Sequence, residues 1–319
     1  MRKMGRKLVI ATILIALGAI IFIGGMIMNN WNFNSLSTRK MQTKEYKISD
    51  DFTDISIKGD TADIIFAISD DEKCKVVCFE EKNATHSVAV EGGVLTIAVN
   101  DEKSWLDYIG FNFSSPSITV YLPEGAYGEL KIDNSTGDIE LPKEIKLGSI
   151  DISLSTGDVD CKASVAERIK INTSTGDINL TDVSAEVIEL SVSTGHITAS
   201  GIDCVGDISL SVSTGKSQLS DVKCGSLTST GNTGDITLTG VVALGKLSIE
   251  RTTGDVRLEG SDAGDIYIET DTGKVSGSLL SEKIFIPRTD TGKIDVPETT
   301  SGGICKITTD TGDIEISIN

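Results

Sequence analysis

The 319-residue chain has few of the residues from which catalytic sites are usually built. It contains only two histidines, His86 and His196, and no G-x-S-x-G, phosphate-loop or metalloprotease-helix motif. Its six cysteines include no C-x-x-C pair of the kind that binds zinc. Its sparse arginines, among them Arg168 and Arg251, do not fall in one repeated position. These absences predict no catalytic residue, no cofactor and no metal ligand, and therefore a protein that is not an enzyme.

Long apolar runs are also missing, with one exception. Leu8 to Met28 is 21 residues without a charge, which is long enough to cross a bilayer as a helix. Only Arg39 and Lys40 are basic in the fifteen residues that follow it, whereas four basic residues precede it, namely Arg2, Lys3, Arg6 and Lys7. This bias predicts a single-pass anchor in the cell membrane, with residues 1–7 cytoplasmic and the rest extracellular. A cleaved signal peptide is the alternative, although its apolar region is usually shorter, about 7–15 residues.

Positive charge is in deficit as well. The formal net charge is −18 and the isoelectric point is about 4.5. Such a charge keeps a protein soluble and argues against nucleic acid or an anionic lipid surface as the partner of the extracellular part. It leaves two relations to an acidic envelope polymer open: repulsion, or binding through divalent cations.

What the chain has in abundance is one repeated unit. A Thr-Gly pair returns every nineteen or twenty residues, usually followed by Asp and then Ile or Val. A fixed period of this length is typical of stacked repeat architectures. The ten glycines are Gly137, Gly157, Gly176, Gly195, Gly215, Gly234, Gly254, Gly273, Gly292 and Gly312.

Apolar residues keep fixed positions around each glycine. They stand seven and five residues before it, as in Ile150 and Ile152, and two and four residues after it, as in Val159 and Cys161. Each arm alternates like a half-buried strand, but the two arms differ in parity. The chain must therefore bend at Thr-Gly, and glycine adopts the positive φ of such a corner at little cost. We interpret the ten glycines as structural repeat corners.

One such coil is too small to fold alone, so neighbouring coils must stack and share an interior. A leucine-rich horseshoe would need a helical or asparagine segment, and a propeller blade a longer unit. The sequence thus predicts an all-β fold, a single-stranded β-solenoid of about ten 19–20-residue coils after irregular β coils and one N-terminal transmembrane helix. The predicted segments are residues 1–7, 8–28, 29–42, 43–128 and 129–319: tail, signal anchor, polar tether, irregular β cap and solenoid.

Two features concern the end of the solenoid. The unit that ends at Gly292 has one extra residue near Pro287, which predicts a bulge or an edge strand without ladder donation. The last unit carries Ile314, Ile316 and Ile318 and has no evident cap. We therefore expect its open side to be a docking or self-association edge.

The residue after each glycine is most often aspartate, and stacked carboxylates repel unless solvated or bridged by a cation. Calcium binding is one interpretation, yet the calcium-roll nonapeptide is absent and lysine interrupts the file. The favoured interpretation is a local hydrogen bond from each carboxylate to nearby backbone. The threonine before each glycine predicts a stacked threonine ladder that braces the corner.

Cysteine pairing is left open. Cys74 and Cys78 lie four apart in one predicted strand, about 13 Å from each other, too far for a disulfide. Cys204 and Cys224 follow their glycines by the same nine residues and should stack on adjacent coils. Their side chains run parallel, which disfavours a bridge without excluding it.

The Ile-Thr-Val-Tyr-Leu-Pro segment at residues 118–123 and the succession of Ser-Thr-Gly-Asp-Ile units resemble the "putative adhesin" family of β-strand-repeat proteins. The resemblance covers residues 45–319. It implies an envelope protein, found mostly in Gram-positive bacteria, with some relatives linked to the envelope stress response, and it supplies no site residues. We expect a non-enzymatic, adhesin-like binding or scaffold module, whose partner is an envelope polymer or a membrane protein. The alternatives are a polysaccharide-processing enzyme on a β-solenoid and a calcium-binding structural repeat protein.

Overall fold

The structure is a computed structural model that describes residues 2–28, 31, 40–101 and 115–319. Most of the predicted polar tether lies outside the described residues. One helix, α1 (Arg2–Met28), precedes all strands. Its stretch Ile10–Met28 has a mean hydropathy of 2.6 and hardly packs against the rest of the chain. At ~1.5 Å per residue it spans about the thickness of a bilayer core, and a signal sequence would satisfy the same criteria.

The rest of the described chain is β structure. Seven strands precede the regular repeats: β1 (Met41–Ile48), β2 (Asp54–Lys58), β3 (Asp63–Ile68), β4 (Cys74–Glu81), β5 (Ala84–Glu91), β6 (Val94–Asp101) and β7 (Ser117–Leu122). More buried and less buried residues alternate along them, as in β7, where Ile118, Val120 and Leu122 are buried and their neighbours are half-buried. The alternation places one side of each strand in the core.

Nineteen strands form the repeats, and each corner glycine separates two of them. They are β8 (Ala126–Thr136), β9 (Ile139–Leu141), β10 (Lys146–Thr156), β11 (Val159–Cys161), β12 (Ser164–Thr175), β13 (Ile178–Thr181), β14 (Ser184–Ala185), β15 (Val187–Thr194), β16 (Ile197–Cys204), β17 (Asp207–Thr214), β18 (Ser217–Cys224), β19 (Ser226–Thr233), β20 (Ile236–Thr253), β21 (Val256–Thr272), β22 (Val275–Leu279), β23 (Lys283–Thr291), β24 (Ile294–Asp295), β25 (Gly303–Thr311) and β26 (Ile314–Ile318).

Strands before the corners form one face of the solenoid, which we call the first face, and strands after the corners form the second face. Adjacent coils pair in parallel and in register, so that Ile152 lies beside Ile171 and Ile171 beside Leu190. The residues at these positions are almost completely buried. The predicted all-β solenoid, with coils in register around a shared interior, is confirmed. Twelve strands at ~4.8 Å make the first face about 50 Å long.

The amino-proximal end of the solenoid is not stacked in chain order. Strands β2 and β3 form a coil directly beside β8 and β9, while β6 and β7 lie on its outer side. Strand β4 then pairs antiparallel with β7 and with β1, and β5 pairs antiparallel with β6. The change from parallel to antiparallel pairing closes this end.

The opposite end is also out of chain order. The coil of Gly312 lies between the coils of Gly273 and Gly292, because β25 pairs with both β21 and β23. The Gly273 N–H donates to Thr311 O at 3.0 Å, and the Gly312 N–H to Thr291 O at 3.0 Å. Our expectation that Ile314, Ile316 and Ile318 mark the open edge was wrong: Ile314 and Ile316 are buried inside the stack.

The chemistry of β23 accounts for its outer position. Pro287 cannot donate a ladder hydrogen bond, and β23 pairs, within the described residues, only with β25. The edge interpretation of Pro287 is therefore confirmed. Lys283, at the start of β23, reaches across to β21, where its Nζ lies 2.7 Å from Asp262 Oδ1 with both side chains largely buried. This ion pair anchors the outer coil to the coil two layers inside.

Candidate functional site

Each corner glycine stacks directly on a backbone carbonyl of the adjacent coil. Eight of the ten have a positive φ, between 126° and 155°, and Gly273 and Gly292 do not. A Cβ at Gly215 would lie 1.7 Å from Gly195 O, and one at Gly292 would lie 2.1 Å from Gly312 O. Close approach of backbones excludes a side chain at every corner, including those where φ does not.

Two threonine positions serve the corner in different ways. The threonine directly before the glycine exposes its side chain and accepts through its backbone, as Thr156 O accepts the Gly137 N–H at 3.0 Å. Two positions nearer the amino terminus, inward-facing threonine hydroxyls donate to the corner carbonyl of the adjacent coil. The clearest are Thr289 to Gly312 O at 3.0 Å and Thr309 to Gly273 O at 3.2 Å. The threonines directly before the glycines do stack in register, as predicted, but the hydroxyls that bond to the corner carbonyls belong to the threonines two residues earlier.

The side chains that follow the glycines form a hydrogen-bonded file along the surface. Asp138 Oδ1 accepts the N–H of Asp158 at 2.9 Å, and Asp158 Oδ1 accepts the N–H of Asp177 at 2.7 Å. Asp177 accepts the N–H of His196 at 2.7 Å, and His196 Nδ1 accepts the N–H of Lys216 at 2.9 Å. Each acceptor side chain thereby ties its coil to the next one.

Lys216 interrupts this file of acceptor side chains but forms an ion pair with the carboxylate of the next coil. Lys216 Nζ lies 3.2 Å from Asp235 Oδ2 and so pairs with the next carboxylate. Asp235 and Asp255 then resume the pattern, with Asp255 Oδ1 accepting the N–H of Lys274 at 2.8 Å. The carboxylates therefore have a structural task that requires no bound cation.

A group of polar side chains around Arg251 lies in the interior of the middle coils. Arg251, 5% exposed, points inward from its corner, and its Nη2 donates to Ser229 Oγ at 2.8 Å and lies 3.5 Å from Ser217 Oγ. Its Nη1 donates to Glu250 O at 2.9 Å. Gly231 makes room, because a Cβ there would lie 2.9 Å from Arg251 Nη1. Burial lowers the pKa of Arg251 to about 10.

A group of neighbouring exposed apolar residues lies on the first face at the outer coil, whereas the more exposed Val205 and Leu244 lie in the middle coils. Ile284, Ile286 and Ile304 are 41%, 49% and 37% exposed on the first face, and Ile284 lies beside Ile304 in register. We call these three residues the terminal patch. In the middle coils the positions equivalent to Ile286 are polar, namely Lys170, Glu189, Ser209 and Thr228. Among the described residues β23 pairs only with β25 and β24 only with β26, and their other edges adjoin this patch.

The described residues also form a cavity that could be considered as a binding or catalytic site. This cavity, of about 650 Å³, lies at the amino-proximal end between β1 and the turn before β4. Its walls carry both acids and lysines, such as Asp71 and Lys73, and no histidine. Burial raises the pKa of Cys74 at its edge to about 11, so this thiol is protonated at neutral pH. Cys74 is therefore not an activated nucleophile.

All six cysteines are free and buried, including Cys204 and Cys224, whose pairing the sequence left open. Burial raises the pKa of Cys161 and of Cys224 to about 12. Such thiols are poor nucleophiles and behave as small apolar side chains.

A family model matches residues 52–204 and again residues 202–319, which together cover most of the chain and nearly all of the described strands. The chain belongs to the Toastrack DUF4097 family. The first match covers most of the irregular strands and the coils up to residue 204, and the second covers the remaining coils. No curated protein matches the chain significantly.

Solved structures resemble this Toastrack protein at low sequence identity. A "putative adhesin" from Parabacteroides merdae is 16% identical, with a TM-score of 0.48 over 76% of this chain and 97% of that one. A "putative adhesin" from Parabacteroides distasonis is 16% identical, with a TM-score of 0.46 over 87% and 98%. A "putative lipid binding protein" from Parabacteroides distasonis is 19% identical, with a TM-score of 0.42 over 76% and 95%. These three come from Bacteroidetes, whereas the resemblance in sequence implied mostly Gram-positive bacteria.

Proposed function

We propose that this protein is a membrane-anchored extracellular β-solenoid that acts as a non-enzymatic, adhesin-like binding or scaffold module at the cell envelope. The observation that carries the proposal is the placement of the terminal patch. Helix α1 precedes β1 at one end of the solenoid, and Ile284, Ile286 and Ile304 lie at the other end. A rigid stack about 50 Å long would hold this patch away from the membrane.

The proposal keeps the segments expected from the sequence. Residues 1–7 are the cytoplasmic tail, 8–28 the anchor, 29–42 the tether, 43–128 the cap and 129–319 the solenoid. The apolar stretch Ile10–Met28 supports an anchor by length and hydropathy. The excess of basic residues before it supports a cytoplasmic amino terminus.

The chemistry of the surface favours a protein partner. The terminal patch is apolar, and contiguous apolar surface that is exposed on a soluble module marks protein or membrane contacts. The acidic remainder of the chain would repel an anionic wall polymer unless cations intervened. We therefore propose a membrane protein with an apolar contact surface as the partner.

A site-specific photo-crosslinker tests this choice. It is placed at Ile286 in the full-length protein in its own membrane, and at Thr228, the equivalent outward position of a middle coil, as the control. We expect a discrete protein adduct from position 286 that position 228 does not give, and we expect Ile284→Asp to abolish it. Equal adducts from both positions would exclude the patch as the contact surface, and an adduct of twice the chain mass would indicate self-association instead.

Membrane topology needs a separate experiment. Alkaline extraction should leave the protein in the membrane fraction, and protease added to intact cells or spheroplasts should digest the solenoid but not a tag before residue 8. Release of a shortened chain into the medium would indicate a cleaved signal peptide. The implied link to envelope stress is tested by measuring transcript levels after cell-wall damage.

A further inference from the structure

The capped end of the solenoid contains a compact group of buried polar side chains. Cys78 and Glu80 stand two residues apart in β4 and therefore point to the same side of the strand. The chain reverses at residues 82–83 and returns as β5, which carries His86. Cys78 and Glu80 are completely buried and His86 is 5% exposed. A short hairpin thus brings three different ligand types together away from water.

The potential ligand atoms of these three residues are close to one another. His86 Nδ1 lies 2.9 Å from Glu80 Oε2, and the imidazole nitrogen, the carboxylate oxygen and the Cys78 sulfur all lie within 4.8 Å of each other. This is the only group of three such residues among the described residues. A metal ion with bonds of ~2.0–2.3 Å can contact all three atoms after small side-chain adjustments.

The two carboxylate oxygens of Glu80 have different partners. Oε1 accepts from Gln42 Nε2 at 3.1 Å and lies 3.3 Å from Lys44 Nζ, both on β1. Oε2 faces the His86 side and accepts the His86 N–H at 2.6 Å. Tyr46 Oη donates to His86 O at 2.5 Å and fixes the backbone of β5. Outer hydrogen bonds that orient a carboxylate and leave one oxygen for a metal are typical of protein metal sites.

Cys74 shows what a merely structural thiol looks like in the same strand. It lies four residues before Cys78 and is also buried, and burial alone raises its pKa. Cys78 differs in having the buried Glu80 carboxylate two residues away on the same side of the strand. A buried carboxylate beside a buried sulfur is an arrangement whose electrostatic cost a divalent cation offsets.

We propose that Cys78, Glu80 and His86 bind one zinc ion. Sulfur and imidazole ligands favour zinc over calcium or magnesium, which prefer oxygen. Binding releases the Cys78 proton to solvent and uses the Nδ1 lone pair of neutral His86. Three protein ligands leave one position of a tetrahedral ion for a small ligand such as water. The ion ties β4 to β5 and, through Glu80, Gln42 and Lys44, to β1, and so stabilises the cap.

Metal titration of the full-length protein in detergent tests the proposal. After removal of bound metal, we expect one zinc ion per chain, a higher melting temperature with zinc, and sulfur-to-metal charge-transfer absorption with cobalt as the probe. Cys78→Ser should abolish the charge-transfer band, and Cys74→Ser, the matched control in the same strand, should retain it. Gln42→Ala should weaken zinc binding about 10–100-fold, as loss of an outer-shell partner does elsewhere.

Several outcomes would overturn the site. They are the absence of the cobalt band in the wild type, a band that persists in Cys78→Ser, and equal loss in the two serine variants. The first result needs no variant, so it decides even if Cys78→Ser does not fold. Zinc bound only by surface carboxylates would persist in His86→Gln and give no sulfur band, which would also contradict the proposal.

Discussion

The middle coils and the end coils of this solenoid follow different rules. From Gly157 to Gly254 the coils stack in chain order, and the apolar columns that the repeat defines lie in the core. At both ends the order changes: the coil of β2 and β3 and the coil of Gly312 each lie one layer inside the end. The last layers are then closed by antiparallel strands on one side and by a proline-containing strand on the other.

The comparison shows that one set of features allows coils to stack and another set ends the stack. A coil with glycine at its corner accepts an identical coil on both sides, so the repeat has no internal reason to end. Antiparallel pairing and proline supply that reason, because an exposed parallel edge is a template for further chains. The terminal patch lies where this termination is least complete.

The largest expected effect concerns the corner of a middle coil. Gly215→Val places a Cβ 1.7 Å from Gly195 O at a φ of 142°. Because the backbone below cannot move without opening the stack, we expect a loss of about 4 kcal/mol or more in the free energy of unfolding. Denaturant unfolding of the full-length protein measures it.

Two further glycine substitutions serve as controls for Gly215→Val. Gly125→Ala, where nothing lies within 4 Å of the added Cβ, should be nearly neutral. Gly292→Val, in the outermost coil, should damage only that coil, so proteolysis should start near it while the middle stays resistant. If Gly292→Val proved as harmful as Gly215→Val, the distinction between middle and end would fail.

The second prediction tests the order of coils at the open end. Tyr267 lies beside Lys306, and Lys306 beside Ile286, on the outer surface of the first face. A Tyr267→Cys/Lys306→Cys pair treated with a short bis-thiol-reactive crosslinker should therefore give a high yield of an intrachain crosslink, because adjacent strands lie ~4.8 Å apart and parallel side chains need not face each other to be bridged by the reagent. The native cysteines are buried and should not compete.

The control pair is Tyr267→Cys/Ile286→Cys, which spans two layers and should crosslink poorly. Stacking in chain order would make these two positions neighbours and invert the yields. The pattern of crosslinked peptides after digestion distinguishes the two arrangements without ambiguity.

Sequence alone predicted the middle of the molecule and failed at its ends for one physical reason. The columns that contain Ile152 and Val159 follow from local alternation, and that alternation decides burial. Because every coil has the same apolar pattern, any coil can pack against any other. The pattern therefore does not predict whether the coil of Gly273 lies next to the coil of Gly292 or that of Gly312. Pro287 was the one local sign of an edge.

The buried polar groups were missed for a related reason. The serines at positions 217 and 229 interrupt the aliphatic columns of neighbouring coils, and Gly231 leaves a space between them. Together these interruptions of the aliphatic columns indicate a polar partner such as Arg251. Whether the Arg251 side chain points inward depends on how the coils stack, which the sequence alone does not give. His86 was likewise treated as isolated, because its approach to Cys78 depends on the β4–β5 hairpin and on no recognised metal motif.

The third prediction concerns this polar interruption of the core. Arg251→Ala should cost about 2–4 kcal/mol, since it leaves a cavity and removes the donor to Ser229 Oγ and the group beside Ser217 Oγ. Arg251→Leu should cost less, because leucine restores the apolar column that Leu154 and Val212 occupy in other coils. Adding Ser229→Ala to Arg251→Ala should be less harmful than the sum of the two changes. Additive losses would mean that the two side chains are not coupled.

The smallest expected effect concerns the aspartate file that links coils on the surface. Asp158→Ala removes the acceptor of the Asp177 N–H and should cost about 1 kcal/mol, whereas Asp158→Asn keeps an oxygen acceptor and should change stability by less than about 0.5 kcal/mol. Adding calcium to metal-free protein should leave the melting temperature unchanged. If calcium raised it and Asp158→Asn abolished that rise, the file would be a cation site. A local hydrogen bond predicts that asparagine substitutes for aspartate at every coil, because the acceptor oxygen, and not the charge, connects one layer to the next.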